Sequence, residues 1–559
     1  MPIWSPAFFG SAASGASGHV IEGSGLFNGT DGKLTRTISS AGNRKKFILE
    51  VIFKRGGSAS SFLTAFSSGT DTFYWYLSSD QVYIQNYESA TQMELKSDAK
   101  LRDFSAWYHL IVAIDTTQST DTNRVKAWVN GVELTWVSSP RTYPTQNLDL
   151  KWNTGSQEHQ IGHSATTYSQ DYFARAAAYD GLTMTDPATD EFGEYDDNGV
   201  WTVLNVSGKN FGTTGFLIED GEAFTNGTDS SGNSQNFTKG GTITDVDDTL
   251  TDKASDNFGN YITFNPLDKN SNMSLTNGNL TVTNTGAAAF HGAIANQRIP
   301  NSGKYYFEVT LPGTLSNQYI GVVNAANKWD FVTAVNGSTS AGFYGFYPVN
   351  STSSKVDNGS ASSYGGSIAN SSVLGFAIDK DNDEMYVSDD GSFLASSNPA
   401  TRANPMLSSL PDDLYVAMTA HNSGGHSVTF NFGQTAFAGS IPSGYVRLNT
   451  SELAAPTVTK PDDFYNAVNF SGTGSAQNVD TVGFQPDLLI IKSRTSTANF
   501  NWIDSVRGAA NILWSNAATA QSAESTSVTG FRDAGFSVGS DSGSYVNISG
   551  QTMVAFCMK

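Results

Sequence analysis

The 559-residue chain has one cysteine, Cys557. A lone thiol forms no internal disulfide, so assembly in a disulfide-using secretory route is not expected. Basic residues are scarce too: 32 Lys and Arg stand against 52 Asp and Glu, a net charge of −20. That excludes the basic footprint of a nucleic-acid binder and the polybasic patch of a protein held on anionic membranes. No stretch approaches the roughly 20 apolar residues of a membrane-spanning helix. The opening Met1-Pro-Ile-Trp-Ser-Pro-Ala-Phe-Phe9 has no positively charged start and no long apolar core, so no signal peptide is expected. There are no heptads to build a coiled coil and no short-period solenoid repeat. Seven histidines are scattered, and no Gly-x-Ser-x-Gly elbow offers a nucleophile.

What is present is glycine (54 residues) and phenylalanine (34), with charged residues at only 15%. This is the composition of turn-rich β structure. Two stretches spell the same hairpin. Ile111-Val-Ala-Ile-Asp115 returns as Val125-Lys-Ala-Trp-Val-Asn-Gly131, and Leu374-Gly-Phe-Ala-Ile-Asp379 returns as Glu384-Met-Tyr-Val-Ser-Asp-Asp-Gly391. Val125, Ala127 and Val129 point one way while Lys126, Trp128 and Asn130 point the other, which predicts a sheet with one buried and one wet face. The fold class expected from these patterns is all-β: tandem β-sandwiches followed by a smaller β-rich C-terminal domain.

Composition divides the chain further. Residues 1–25, rich in Gly, Ser and Ala with an aromatic tip (Trp4, Phe8, Phe9), read either as a frayed terminus or as an N-terminal arm that docks on a larger assembly through its aromatics. Residues 26–218 read as a first sandwich, with Thr185-Asp-Pro-Ala-Thr-Asp-Glu inside it predicting a short capped helix. Residues 219–257, dominated by Asp, Thr, Gly, Asn and Ser, read as an acidic linker. A second sandwich is expected over 258–450, a Pro-containing linker over 451–462 and a final β-rich block over 463–559.

The second block resembles the SPRY domain. Gly303-Lys-Tyr-Tyr-Phe-Glu-Val309, Tyr319-Ile-Gly-Val-Val323, the 373–391 hairpin and Val428-Thr-Phe-Asn-Phe-Gly-Gln-Thr-Ala-Phe437 carry the likeness in order. The first block resembles laminin G-like and concanavalin-like lectin modules through Trp107-Tyr-His109, Ile114-Asp115, Val129-Asn-Gly131 and Ile161-Gly162. The two likenesses imply tandem concanavalin A-like (jelly-roll) sandwiches. Together with the opening aromatics, Ser40-Ala-Gly-Asn-Arg-Lys45 and Asn265-Pro-Leu-Asp-Lys-Asn270, the chain resembles bacteriophage virion proteins of the tail-fibre kind. The final block is similar to a phage-associated domain of unknown function, through Gly483-Phe-Gln-Pro-Asp487, Ile491-Lys492 and Asp504-Ser-Val-Arg-Gly508. The resemblance implies a virion surface protein made in the host cytoplasm. It would be attached to other virion proteins by its arm, homotrimeric as fibres are, and without catalytic apparatus.

Candidate chemistry is sparse. Asp379-Lys-Asp-Asn-Asp-Glu384 alternates acids but lacks the glycine at position six of a calcium loop, so a solvated turn is favoured over calcium. Asp245, Asp247 and Asp248 read the same way, and no cofactor or metal is expected. Glu191, Glu194, Asp196 and Asp197 follow the expected helix cap rather than lining one strand, which argues against a glycosidase pair. His159 and His163, four apart, fall in loop and strand rather than on a helix face. Trp329, Tyr344, Tyr347 and Tyr364 lie among polar and glycine residues and are the candidate ligand-binding side chains, since aromatic faces stack on sugar rings. The function expected is receptor binding by a tail fibre: multivalent, non-catalytic adhesion to a host-surface glycan. The alternatives are a capsid decoration or head-fibre protein and, behind it, a polysaccharide depolymerase.

Overall fold

The computed structural model describes residues 19–57, 60–66, 71–164, 167–196, 198–286, 289–315, 317–334, 336–421, 427–453, 458 and 460–559. The aromatic tip of the expected arm, Trp4, Phe8 and Phe9, lies outside them, as does Asp197. The fold is all-β and forms two compact units, one running to Ala455 and one from Pro456 to Lys559. No helix among the described residues is long and apolar enough to cross a membrane.

The first unit holds both sandwiches. In the first, strands Lys46–Lys54, Trp107–Asp115 and Tyr172–Asp180 sit side by side in one eight-stranded sheet. The facing sheet carries Ser60–Phe66, Thr72–Ser78, Gln81–Glu88 and Ala90–Lys100. Phe47, Leu49, Val51 and Phe53 alternate inward onto Trp75 and Trp152, so one strand supplies a whole row of the core. In the second sandwich a seven-stranded sheet faces an eight-stranded one across Phe307, Phe376, Phe430 and Phe432. Both sequence hairpins form: Trp107–Asp115 with Val125–Val129, and Val373–Asp379 with Glu384–Asp389.

Three expectations are corrected. The outer face of the first hairpin is largely covered: every residue of Trp107–Asp115 is buried, and only Lys126 and Asn130 beside it stay partly exposed. Trp128 is 2% exposed, packed with Ile48, Tyr179, Phe192 and Phe211 under the segment that follows Tyr172–Asp180. The 219–257 segment is not a linker but part of the first sandwich. Ile243–Val246 pairs with Ser24–Phe27, which itself falls partly in the expected arm, and Thr238–Gly240 pairs with Lys33–Thr37. Phe224, Phe237, Ile243 and Val246 are buried, and Leu250 is partly buried. No helix forms at Thr185: the Asp190 carboxylate accepts from the amides of Thr185 and Asp186, and Asp186 from Ala188 and Thr189, which closes a turn instead. The helix in this region is Gly221–Asn226, capped by Asp220 on the amide of Ala223.

A sheet buried on both faces must satisfy its outward polar groups. Glu50, fully buried, accepts from His109 Nε2 at 2.9 Å, Arg175 Nη1 at 2.8 Å and Tyr179 OH at 2.5 Å. Burial alone would raise its carboxyl, but Arg175, His109 and Tyr179 outweigh that and hold it at about 2. Four residues on, past Ile52, Lys54 Nζ donates to Asp248 Oδ2 at 2.8 Å, Asn260 Oδ1 at 2.8 Å and the carbonyl of Tyr261 at 2.7 Å. Burial pushes the Lys54 ammonium down and the Asp248 carboxyl up, and their mutual contact opposes both shifts.

The C-terminal unit is a six-stranded sheet in the order Tyr465–Ser471, Thr552–Met558, Leu488–Ser493, Asn501–Asp504, Asn511–Trp514, Ser522–Ala523. It packs on a three-stranded sheet through Leu489, Ile491, Ala555 and Phe536.

Two predictions test these contacts. Lys54→Met strands a buried carboxylate and is expected to cost about 3–5 kcal/mol, with Lys54→Met/Asp248→Leu recovering part of it, as read by denaturant unfolding. A single variant as stable as wild type would refute the coupling. Asp252, which accepts from Thr450 Oγ1, has its carboxyl raised by burial from 3.8 to about 6. A raised carboxyl costs nothing below the unfolded value and progressively more as pH rises through the folded one. Asp252→Asn should therefore stabilise the unit by about 1–3 kcal/mol at pH 7, the gain fading between about pH 6 and pH 4 in thermal melts.

Candidate functional site

The loop joining Ala90–Lys100 to Trp107–Asp115 is fixed from beneath. The buried guanidinium of Arg55 lies 4.2 Å over the Phe104 ring and donates to Asp80 at 3.1 Å and to the carbonyl of Leu101. Asp103 Oδ1 accepts from the amide of Ser105 at 2.8 Å and from its hydroxyl at 2.5 Å, and Tyr108 OH bonds the Asp103 backbone. The carbonyl of Ser105 accepts from Asn260 Nδ2 at 2.8 Å, tying this loop of the first sandwich to the second. Arg102 is left at the rim, its side chain 62% exposed and 3.5 Å from Asp80.

Across from this loop, strand Phe264–Lys269 of the second sandwich breaks register with Phe290–Arg298 between Phe264 and Lys269. The intervening residues bulge outward, as the proline in Asn265-Pro-Leu-Asp-Lys-Asn270 favours. Asn265 holds the bulge, accepting from the amide of Leu267 at 3.0 Å and donating to Asp268 at 3.1 Å. Leu267 is thereby pushed out to 65% exposure. A cleft of about 410 Å³ lies between the two, with Arg102, Phe104 and Ser105 on one wall and Asn265, Leu267 and Asn296 on the other.

The bulge also leads away from the cleft. Asp268 is 3.4 Å from Lys328 Nζ, which lies over the rings of Trp329 at 4.7 Å and Tyr415 at 5.1 Å. Lys328 and Trp329 open the helix Lys328–Ala334, preceded by a turn that Asn324 caps on the amide of Ala326. The helix is docked by Phe331, stacked on Phe343 at 5.1 Å. Gly292 permits that approach, since a Cβ there would come within 2.5 Å of the Phe331 carbonyl oxygen. Trp329 faces away at 61% exposure.

The four aromatics expected from sequence do not share one platform. Tyr344 and Tyr347 sit on Phe343–Tyr347 with opposite parity: Tyr344 packs against the sandwich core, while Tyr347 lies on the outer face, stacked on Tyr319 at 4.6 Å with its hydroxyl on Asn317. Tyr364 packs on the core side and donates to the carbonyl of Leu394 at 3.3 Å. Trp329 alone is joined to the cleft. The cleft residues themselves were missed as a site, although the Asn265–Asn270 stretch stood out as a motif.

The acidic turn over 379–384 is occupied by cations of the protein. Asp379 bonds Lys304 at 2.9 Å and Asn382, Lys380 meets Asp383 and Asp412, and Glu384 meets Arg402 at 2.7 Å. His159 is buried, accepting the amide of Asn153 at Nε2, and burial holds it at about 3. His163 stacks on Tyr168 instead. Among the described residues no three His, Cys, Asp or Glu converge on a metal position. The cleft offers amide, hydroxyl and guanidinium groups around a Phe and a Leu, the complement of a polyol with apolar faces. Among its described lining residues Asp103 is the one carboxylate, whereas paired-carboxylate glycoside hydrolysis needs two.

Residues 460–559 match the model of a family described as a domain of unknown function, DUF7483. No curated protein matches the sequence. Among solved structures the chain has SPRY-domain neighbours. It is similar to the SPRY domain of human HERC1 (14% identity, 31% of this chain and 99% of that chain, TM-score 0.25). It is also similar to the TRIM65 PSpry domain (14%, 30% and 91%, TM-score 0.24) and to stonustoxin (13%, 30% and 27%, TM-score 0.24).

If Trp329 is surface and Phe331 is anchor, Trp329→Ala should shift stability by under about 0.5 kcal/mol, while Phe331→Ala costs about 3–5 kcal/mol in thermal unfolding. Equal losses would show that Trp329 is part of the packing.

Proposed function

We propose that this chain is a surface protein of a bacteriophage particle, a tail fibre or receptor-binding protein that adsorbs to a host-surface glycan without cleaving it. The observation that carries the reading is the continuous path from the cleft, over the Leu267 bulge and the Asp268–Lys328 bridge, to the exposed Trp329. Amides and a guanidinium suit the hydroxyls of a saccharide, and Phe104, Leu267 and Trp329 suit its apolar faces. Each contact of this open kind is weak, and repetition over a particle multiplies it. The particle setting is supported by the sequence resemblance to virion proteins.

The test is adsorption. Particles carrying Arg102→Ala/Trp329→Ala are expected to bind host cells about tenfold more weakly or worse, with the unfolding midpoint kept. Isolated wild-type chain added in excess should compete with particles for the host. Unchanged adsorption with a correctly folded variant would remove this surface from host recognition. Release of reducing ends from host polysaccharide would replace binding with catalysis.

A further inference from the structure

The six-stranded sheet of the C-terminal unit has one packed face and one open face. Alternation sends Leu489, Ile491, Met553, Ala555 and Cys557 into the core. The intervening residues point outward, and five of them form a straight row over five adjacent strands. Ala467 pairs with Phe556, Phe556 with Ile490, Ile490 with Trp502, and Trp502 with Leu513. Ala467 and Leu513 are exposed, and the three between them partly exposed, as flat-lying neighbours shield one another. Flanking the row, Leu488 pairs with Met558 on one side and Lys492 with Val554 on the other. The solvent face of an antiparallel sheet ordinarily carries polar side chains, so a contiguous apolar row marks a contact surface.

We propose that this face pairs with the same face of a second copy of the chain, about a two-fold axis running along the row. Two observations single out a second copy. The first is charge: in a chain of net charge −20, copies repel, yet this face carries one Lys and one Asp, and Asp504 is further bridged to Arg507 at 2.6 Å. It is a region where a second copy meets little repulsion. The second is symmetry. Lys492 lies to one side of the row and Asp504, paired with Leu488, to the other. Rotation about the row exchanges the two sides, setting Lys492 of each copy beside Asp504 of the other while the apolar row lies on itself, a self-complementary arrangement. Five strands about 4.8 Å apart, each presenting two or three outward residues, give roughly 400 Å² per copy. That makes roughly 800 Å² over both copies, below the roughly 1,200 Å² total of stable complexes, so the pairing is concentration-dependent.

The test uses the full chain in sedimentation velocity from about 1 to about 100 μM, the range expected of so small a contact. The mass should rise from one copy toward two. Leu513→Glu, at an exposed position that leaves the core alone, should raise the midpoint concentration at least about tenfold, and Ile490→Glu likewise. Lys492→Glu should weaken pairing by placing like charges together, and adding Asp504→Asn should recover part of the loss. A single-copy mass throughout, a three-copy mass, or a midpoint unmoved by both Leu513→Glu and Ile490→Glu would overturn the pairing. Adsorption is a separate readout, so failure here leaves the glycan reading standing, and the converse holds.

Discussion

The first unit depends on the outward face of one strand, Lys46–Lys54. Its inward residues build an ordinary sandwich core; its outward ones, Ile48, Glu50, Ile52 and Lys54, are all buried as well. Ile48 packs under the segment following Tyr172–Asp180, Ile52 joins the core cluster of the second sandwich, and Glu50 and Lys54 are charges enclosed between them. Enclosing a charge costs several kcal/mol unless it is met by partners, and each of these two has three. Glu50 organises the first sandwich around Arg175, His109 and Tyr179. Lys54 bonds Asp248 of the first sandwich and reaches Asn260 and Tyr261 of the second, adding a buried polar tie to the apolar cluster (Leu26, Ile52, Trp107, Tyr172) that the two sandwiches share.

That junction gives the cleft its shape. Asn260 both accepts from Lys54 and donates to the carbonyl of Ser105, so the charge that joins the sandwiches also pins the loop bearing Arg102 and Phe104. The opposite wall is set by Asn296, bonded twice through its side chain to Thr263, and by the Asn265 bulge. The walls belong to different sandwiches, yet their spacing is held by buried bonds. A surface fixed in this way binds without the entropy loss of ordering its own loops.

Much of the fold was legible in the sequence because strand alternation is local. The two Ala-Ile-Asp hairpins, the SPRY-like strands and the terminal strand form where their patterns place them. What was not legible is what returns to cover a face. Trp107-Tyr-His-Leu-Ile-Val-Ala-Ile114 has no alternation, the mark of a strand buried on both sides, but Val125–Val129 beside it alternates and reads as half wet. Only the tertiary placement of Met184, Phe192, Val206 and Phe211 covers Trp128 on that face, while Lys126 stays partly exposed. Likewise, residues 219–257 look like a linker because turns and hydrogen-bonding side chains outnumber their apolar ones, yet a few spaced apolar residues such as Phe224, Phe237, Ile243 and Val246 anchor a segment whose polar residues mostly stay at least partly exposed. Of the site, Trp329 was legible because a large ring among Asn, Lys and Asp has little reason to be core. Tyr344 and Tyr347 were not separable, since their three-residue spacing puts them on opposite faces only once Phe343–Tyr347 is known to be a strand. The cleft was least legible, because its lining comes from segments more than a hundred residues apart.

Charge then decides which surfaces are available for association. Buried carboxylates such as Glu50, Asp248 and Asp379 are matched to Arg175, Lys54 and Lys304. These internal pairs consume cations, so the excess of acids over bases is expressed mainly at the surface, where it keeps copies apart at long range. Attraction at short range must come from places where that field is interrupted. The chain has two such places of different character. One is the stretch from Arg102 to Lys328 and Trp329, where cations sit among amides and rings and a polar, neutral or acidic ligand is tolerated. The other is the outer sheet face of the C-terminal unit, where side chains are apolar and a matching apolar face is the better complement. On the two proposals, these surfaces would take different partners by the same electrostatic rule: a polar ligand at the first and a matching apolar face at the second.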